Sequence, residues 1–306
     1  MRYVPFFIVL VAIGCSDEKR TVVHSLLGVS FTDPERSPAA QLRLDSNLRI
    51  AKQNFDADPS EENYIWYGRR TAYLMRLDEA IGIYTEGLAK YPDSYRLLRH
   101  RGHRYISLRK FPEAIADLEK ATILMDGKPL EVEPDGVPNK LNIPLSTTQF
   151  NVFYHLALAH YLMGNFAKAE ETWKRCMVVC ENDDSRVAVT DWLYMTLRRQ
   201  NKTYEASELL GLVGDSLEII ENDSYNTRLK MYKGEITPDE VLVVDPADND
   251  YNLSMATQGY GVGNWYYYNG DTARAVDVFN KVVGGKEFAA FGFIAAEAEL
   301  ARMRTR

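Results

Sequence analysis

From Ser60 to Asp126 the apolar positions keep a helical spacing, broken at set intervals by turn residues, and the whole pattern occurs twice. The first copy runs Tyr64, Tyr67, Gly68, then Ala80, Tyr84, Gly87 and Pro92; 34 residues on it returns as Leu98, Arg101, Gly102, Tyr105, Ala114, Leu118 and Ala121. A period of this length marks helical hairpins that bury their apolar faces by stacking on one another. A third copy lies between Phe150 and Asp183, with Phe153, Leu156 and Ala157, a turn at Gly164, then Ala169, Trp173 and Cys176. A fourth is degenerate, leading from Leu193, Tyr194 and Leu197 through Asn201 to Ala206 and Leu210, with its turn read as one residue out of register. The last copy is clear again: Val262, Gly263 and Tyr266, a turn at Gly270-Asp271, then Ala275, Phe279 and Val282.

Single helices flank these hairpins. Leu44, Leu48, Ala51 and Phe55 recur at helical spacing until Asp58-Pro59 ends the run. Ser60 then reads as an N-cap, with Glu61 and Glu62 at the positive end of the next helix dipole. Ser224 to Leu242 holds two shorter helices, the second opening on Thr237-Pro238-Asp239-Glu240 with capping-box spacing. Phe288 to Met303 is expected to cap the open face of the last hairpin. One stretch interrupts the order: Gly127 to Thr148, with Pro129, Pro134, Pro138 and Pro144, reads either as a spacer along the edge or as a strap over the concave face.

The bulky and small positions resemble those of the tetratricopeptide repeat (TPR), a pair of antiparallel helices A and B. The resemblance implies an all-α, right-handed solenoid of about five hairpins with capping helices over residues 39–306. Two stretches, Gly68 to Leu74 and Tyr260 to Tyr266, are similar to uncharacterised exported bacterial TPR proteins, which implies a fold and no activity.

The beginning of the chain carries a different signal. Arg2 precedes an apolar run from Val4 to Ile13, too short for the roughly 20 apolar residues that span a bilayer. Ala12-Ile13-Gly14-Cys15 resembles a bacterial lipobox with Ala12 where Leu is preferred, which implies a signal peptide over 1–14 and a lipidated Cys15. Small residues at Ala12 and Gly14 also suit an ordinary signal peptidase and a soluble periplasmic product. Residues 15–38, opening on Ser16 to Arg20 and continuing with Pro34 and Pro38, read as a solvated tether. The expected location is the cell envelope, anchored by lipid at the outer membrane.

Chemistry is harder to find. No phosphate loop, His-Glu-x-x-His zinc motif or Gly-x-Ser-x-Gly elbow is present, and no cofactor is expected. Gly259, Gly261 and Gly263 fall within a helix, where close packing accounts for them. His100 and His103 share a helix face but stand among Arg99, Arg101 and Arg104, which repel a cation, so no metal is expected. Cys176 and Cys180 read as buried thiols rather than a disulfide. The formal net charge of −7 argues against a general nucleic-acid role.

Against that acidic background one helix carries Arg96, Arg99, His100, Arg101, His103 and Arg104. In TPR proteins the A helices line the concave groove. That mapping places Trp66, Arg69 and Tyr73 there from the first repeat, Arg96, Arg99 and His103 from the second, and Tyr154, His155, Leu158 and Tyr161 from the third. Trp192, Arg198, Arg199, Asn264, Tyr267 and Tyr268 extend the row. A basic and aromatic groove suits an acidic or carboxylate-bearing protein or peptide, because guanidinium forks bind carboxylates bidentately. The competing reading is that these arginines pair with acidic neighbours. The expected function is therefore a non-catalytic binding scaffold, with a self-associating spacer or an enzyme using the same groove as the alternatives.

Overall fold

Turns at Met75, Arg109, Gly164, Asn201 and Gly270 cut the polypeptide into antiparallel helix pairs. The computed structural model describes residues 20–214, 216–243 and 251–305; the signal segment and Cys15 lie outside them. Helix α1 (Pro38–Ala57) runs alone. Then come α2 (Glu61–Tyr73) with α3 (Leu77–Lys90), α4 (Tyr95–Ser107) with α5 (Phe111–Leu124), and α6 (Thr148–Leu162) with α7 (Phe166–Val178). The fourth pair is α8 (Asp183–Arg199) with the shorter α9 (Thr203–Gly211). After α10 (Asp223–Lys233) and the one-turn α11 (Pro238–Val241), α12 (Tyr251–Tyr268) pairs with α13 (Thr272–Val283), and α14 (Phe291–Arg304) follows. Two short strands, β1 (Thr21–His24) and β2 (Ser30–Thr32), pair antiparallel ahead of all of them.

Close approach within the pairs depends on missing side chains. A Cβ on Gly68 would stand 2.3 Å from the Tyr84 ring, one on Gly102 2.8 Å from Leu118, and one on Gly263 2.6 Å from Phe279. Each glycine is the socket into which the second helix of its pair sets one large residue. In the third pair Ala157 and Trp173 take these places, both fully buried. Gly259 and Gly261 likewise make room for Val282 and Arg228.

Helix starts follow ordinary capping chemistry. Ser94, Thr147, Asn182 and Asp271 each accept a hydrogen bond from a backbone N–H three residues on. Thr237 and Glu240 form the expected reciprocal capping box, at 3.2 and 2.7 Å. Ser60 stands at the N-cap of α2 but its hydroxyl makes no capping bond. Glu61 and Glu62 in the first turn supply favourable charge there instead.

Two segments depart from expectation. Residues 21–32, read as part of a solvated tether, form the β-hairpin, with Val22 and Val23 buried. Phe31 stacks on Phe288 at 4.9 Å and meets Phe293 edge-on at 5.5 Å. Val23 shares a cavity wall with Leu44, Leu77 and Phe288, and the ring that looks stranded in a short sequence window has its partners just before α14 and on it. That helix is itself more than an end cap. It covers α12 and α13, yet Glu297 also pairs with Arg109 after α4, and Glu299 with Arg199 at the end of α8. Arg302 donates to the carbonyl of Leu162 at the end of α6. Helix α14 thus lies across the ends of three A helices and closes that side of the groove.

Candidate functional site

The A helices α2, α4 and α6 bring the expected residues to one face, and two parts of the chain cover that face. The first is the insertion between α5 and α6. Its limbs pair, Glu133 N–H to Ser146 O at 3.0 Å and Thr148 N–H to Glu131 O at 2.8 Å, so it crosses the groove as a strap. Arg69 donates to the Pro134 carbonyl at 2.8 Å, and Arg70 to the Gly136 carbonyl at 3.0 Å. Arg99 pairs with the buried Glu133 at 2.8 Å. Arg96 stands between Glu61 of α2, at 3.7 Å, and Glu131 of the strap, at 3.8 Å, with Glu62 bonded to its other amine. Tyr95 donates to Glu131 at 2.7 Å. At the tip the fit is tight: a Cβ on Gly136 would stand 1.6 Å from the Tyr73 hydroxyl.

Burial and charge act in opposite directions on these groups. Burial works against the charge on Arg96, but Glu62, Glu131 and Glu61 outweigh it and hold its pKa above the ordinary arginine value. For Arg99 burial dominates and lowers the pKa despite Glu133. Burial, then the hydrogen bond to Glu131, pushes the Tyr95 phenol up to about 12. Trp66 donates to Glu62 at 2.7 Å and lies under the guanidinium of Arg69 at 4.5 Å.

The second cover is α14. His103 and His155 face each other at 4.4 Å between ring centroids, with Phe291 at 5.4 and 5.5 Å. Burial, with Arg104 beside His103 and Arg99 beside His155, lowers both pKa values well below the ordinary range. His155 donates from Nδ1 to Asn151 O at 2.6 Å, taking the ring as neutral with Nδ1 protonated. Beside these rings a cavity of about 350 Å³ reaches Arg99, Tyr154, Asp184 and Tyr225. Tyr154 itself is buried, bonded to Tyr225 at 3.0 Å and accepting from the Trp192 indole at 2.8 Å. Tyr161 and Asn264 are buried too, joined at 3.0 Å. The aromatic half of the expected groove is therefore interior, because α12 and α14 fill it.

His100 and His103 part company: His100 stacks on Tyr84 at 5.9 Å, while His103 faces His155. Among the described residues no three His, Cys, Asp or Glu side chains gather as metal ligands, and no helix is long and apolar enough to cross a membrane. Cys176 and Cys180 are free thiols, the first buried and the second half-buried.

Three contributors escape the repeat pattern: Glu131, Glu133 and Asp184. The first two were visible as an alternation, Glu131-Val132-Glu133-Pro134-Asp135, which puts acids on one side of an extended segment. Asp184 accepts backbone N–H bonds from Ile220, Glu221 and Asn222 at 2.8–2.9 Å, fastening the segment before α10 to the start of α8.

Every pair repeats one turn. A residue with positive φ, Met75, Arg109, Gly164, Asn201 or Gly270, stands five positions before an alanine, and Ala80, Ala114, Ala169, Ala206 and Ala275 are all fully buried. The fourth turn is thus in register; its first helix is longer and its second shorter than in the pairs before it. The fold is a tetratricopeptide-repeat-type α-solenoid. No family model matches it, and no curated protein matches it. Among solved structures it is similar to YrrB, a TPR protein with an unusual peptide-binding site, at 15% identity over 83% of this chain and 97% of that one, TM-score 0.42. A TPR protein from Parabacteroides merdae aligns at 13% identity over 86% and 94%, TM-score 0.46. Yeast Tom70 aligns at 14% over 83% of this chain and 49% of its own, TM-score 0.40. At such low similarity the assignment of the repeat stands on the chain's own turns and sockets.

Proposed function

We propose that this TPR solenoid is a non-catalytic scaffold whose groove takes an extended acidic segment of a partner protein, and that the strap is a resident occupant of that groove. One observation carries the reading: residues 131–136 lie on Arg69, Arg70, Arg96 and Arg99 through two carboxylates and two backbone carbonyls. Those are the contacts a bound acidic peptide would make, with guanidinium forks on carboxylates and Trp66 and Tyr73 as rigid flanks. A competing peptide gains nothing until the strap leaves, so the apparent affinity is reduced by the fraction of molecules in which the strap is seated.

A crosslinking pull-down with three forms of the full chain tests this. Glu133→Ala with Gly136→Ala unseats the strap and is expected to raise partner recovery several-fold. Arg69→Glu, Arg96→Glu and Arg99→Glu together are expected to abolish it. Identical recoveries from all forms would sink the proposal, and recovery of only the chain itself would favour a self-associating spacer. The reading also places the solenoid in the bacterial cell envelope, tethered through a lipid on Cys15 at the outer membrane. Incorporation of radiolabelled palmitate that persists in Cys15→Ser would remove the anchor from the proposal.

A further inference from the structure

Beyond the strap's acidic contacts lies a second cavity, of about 430 Å³, where the strap tip, α1, α2, α4 and the residues before α14 meet. Its walls are mostly apolar, with Val23, Leu44, Leu77 and Phe288 among them, and three arginines reach it: Arg43, Arg70 and Arg104. Among the described residues no carboxylate lines it. Arg70 is partly engaged, with the Gly136 carbonyl at 3.0 Å and the Trp66 and Tyr73 rings at 4.9 and 5.7 Å. Arg104 is different. It sits part-buried on α4 and makes no ion pair or side-chain hydrogen bond with any described residue. The arginines under the strap and beside α14 each have an acid or a carbonyl: Arg69 and Arg70 the strap carbonyls, Arg96 and Arg99 the glutamates, Arg109 Glu297.

A part-buried guanidinium without a partner costs free energy unless an anion arrives to share it. Apolar walls around a few convergent cations, in a space of this size, describe a small-molecule site rather than a packing defect. We infer that this cavity binds a small amphipathic organic acid, its carboxylate on Arg104 with Arg70 and Arg43 beside it, and its apolar body against Leu44, Leu77 and Phe288. The site is separate from the arginine–glutamate contacts under the strap. It shares with the strap's seat the tip, Gly136 to Pro138, which forms one wall, and the Arg70 and Tyr73 side chains that the tip rests on. A seated acid would therefore add a contact that holds the tip down.

The test is calorimetric titration of the full chain with decanoate, with decanol as the uncharged match. Decanoate is expected to bind saturably, at least tenfold more tightly than decanol, and to weaken as salt is raised. Arg104→Gln is expected to cost at least tenfold in decanoate affinity. Should Arg104→Gln fail to fold, Arg43→Gln at the exposed mouth is expected to weaken decanoate several-fold while leaving the fold intact. Equal binding of decanoate and decanol, or no saturable decanoate binding, overturns the assignment whatever the variants do. An unchanged decanoate affinity in folded Arg104→Gln overturns it as well. None of these results depends on whether a partner protein enters the groove.

Discussion

Glu297 has no exposed side-chain surface and Arg109 has 3%, yet they carry full charges 2.7 Å apart. The carboxylate also accepts the backbone N–H of Leu26, and Arg109 donates further to the carbonyls of Ser107 and Phe288, at 2.6 and 2.8 Å. Two charges removed from water at this depth are tolerable only because each is fully bonded, and removing one strands the other. Glu297→Ala is therefore expected to lower the unfolding free energy by about 3–5 kcal/mol, whereas Arg109→Met with Glu297→Leu should recover most of that loss. Urea unfolding of the two variants beside the natural chain checks both statements. Neither residue announces itself in sequence. Arg109 looks like a surface charge in a turn and Glu297 like a helix-face acid, because the fact that joins them is a contact across 188 positions. Gly68, Gly102 and Ala80 are the opposite case: their meaning depends on neighbours within one repeat, so spacing alone reveals it.

At the level of elements, α4 and α6 bury three histidines, His103 and His155 against Phe291 of α14 and His100 against Tyr84 of α3. Burial lowers the pKa values of His100, His103 and His155 well below 6.5, with Arg99 and Arg104 adding to the effect. The unfolded chain therefore binds protons that the folded one refuses, and stability is greatest above pH 7 and falls as pH drops below about 6.5. Each histidine removes up to about 1.4 kcal/mol per pH unit in that window. Glu170, held down at about 2 by three side-chain hydrogen bonds that outweigh its burial, stabilises the fold throughout this window and loses that contribution only as pH falls below the ordinary glutamate range. Urea midpoints at pH 7.5 and 5.8 are expected to show the fall, and replacing His103 with Gln should blunt it. The helices themselves were legible from apolar spacing, down to the capping box at Thr237. Turn geometry was only half legible: Gly164, Asn201 and Gly270 are ordinary residues for positive φ, whereas Met75 and Arg109 adopt it against preference. The strap was legible as an interruption and not as an occupant, since its place depends on which side of the solenoid it crosses.

Across the whole molecule the stack does not remain an open spiral. The β-hairpin at residues 21–32 rests on α14, and α14 reaches back to α4, α6 and α8. In an open solenoid each repeat meets only its neighbours, and stability grows as a near sum of local terms. Here Leu26 and Glu297 meet across 271 positions, so loss of the last helix removes support from the first hairpin as well. The A-helix arginines expected to form a basic face are paired with the strap's acids and carbonyls, and strap and helix together leave little of that face open.

That long fastening also has a place in time. A ribosome delivers Val22, Val23 and Phe31 well before it delivers Phe288, Phe293 and Glu297. At synthesis rates of roughly 5–20 residues per second the interval is on the order of tens of seconds. During it Phe31 and the Leu26 amide lack Phe288, Phe293 and Glu297, while each helical pair behind them can close as it appears. A hairpin made early is fastened late.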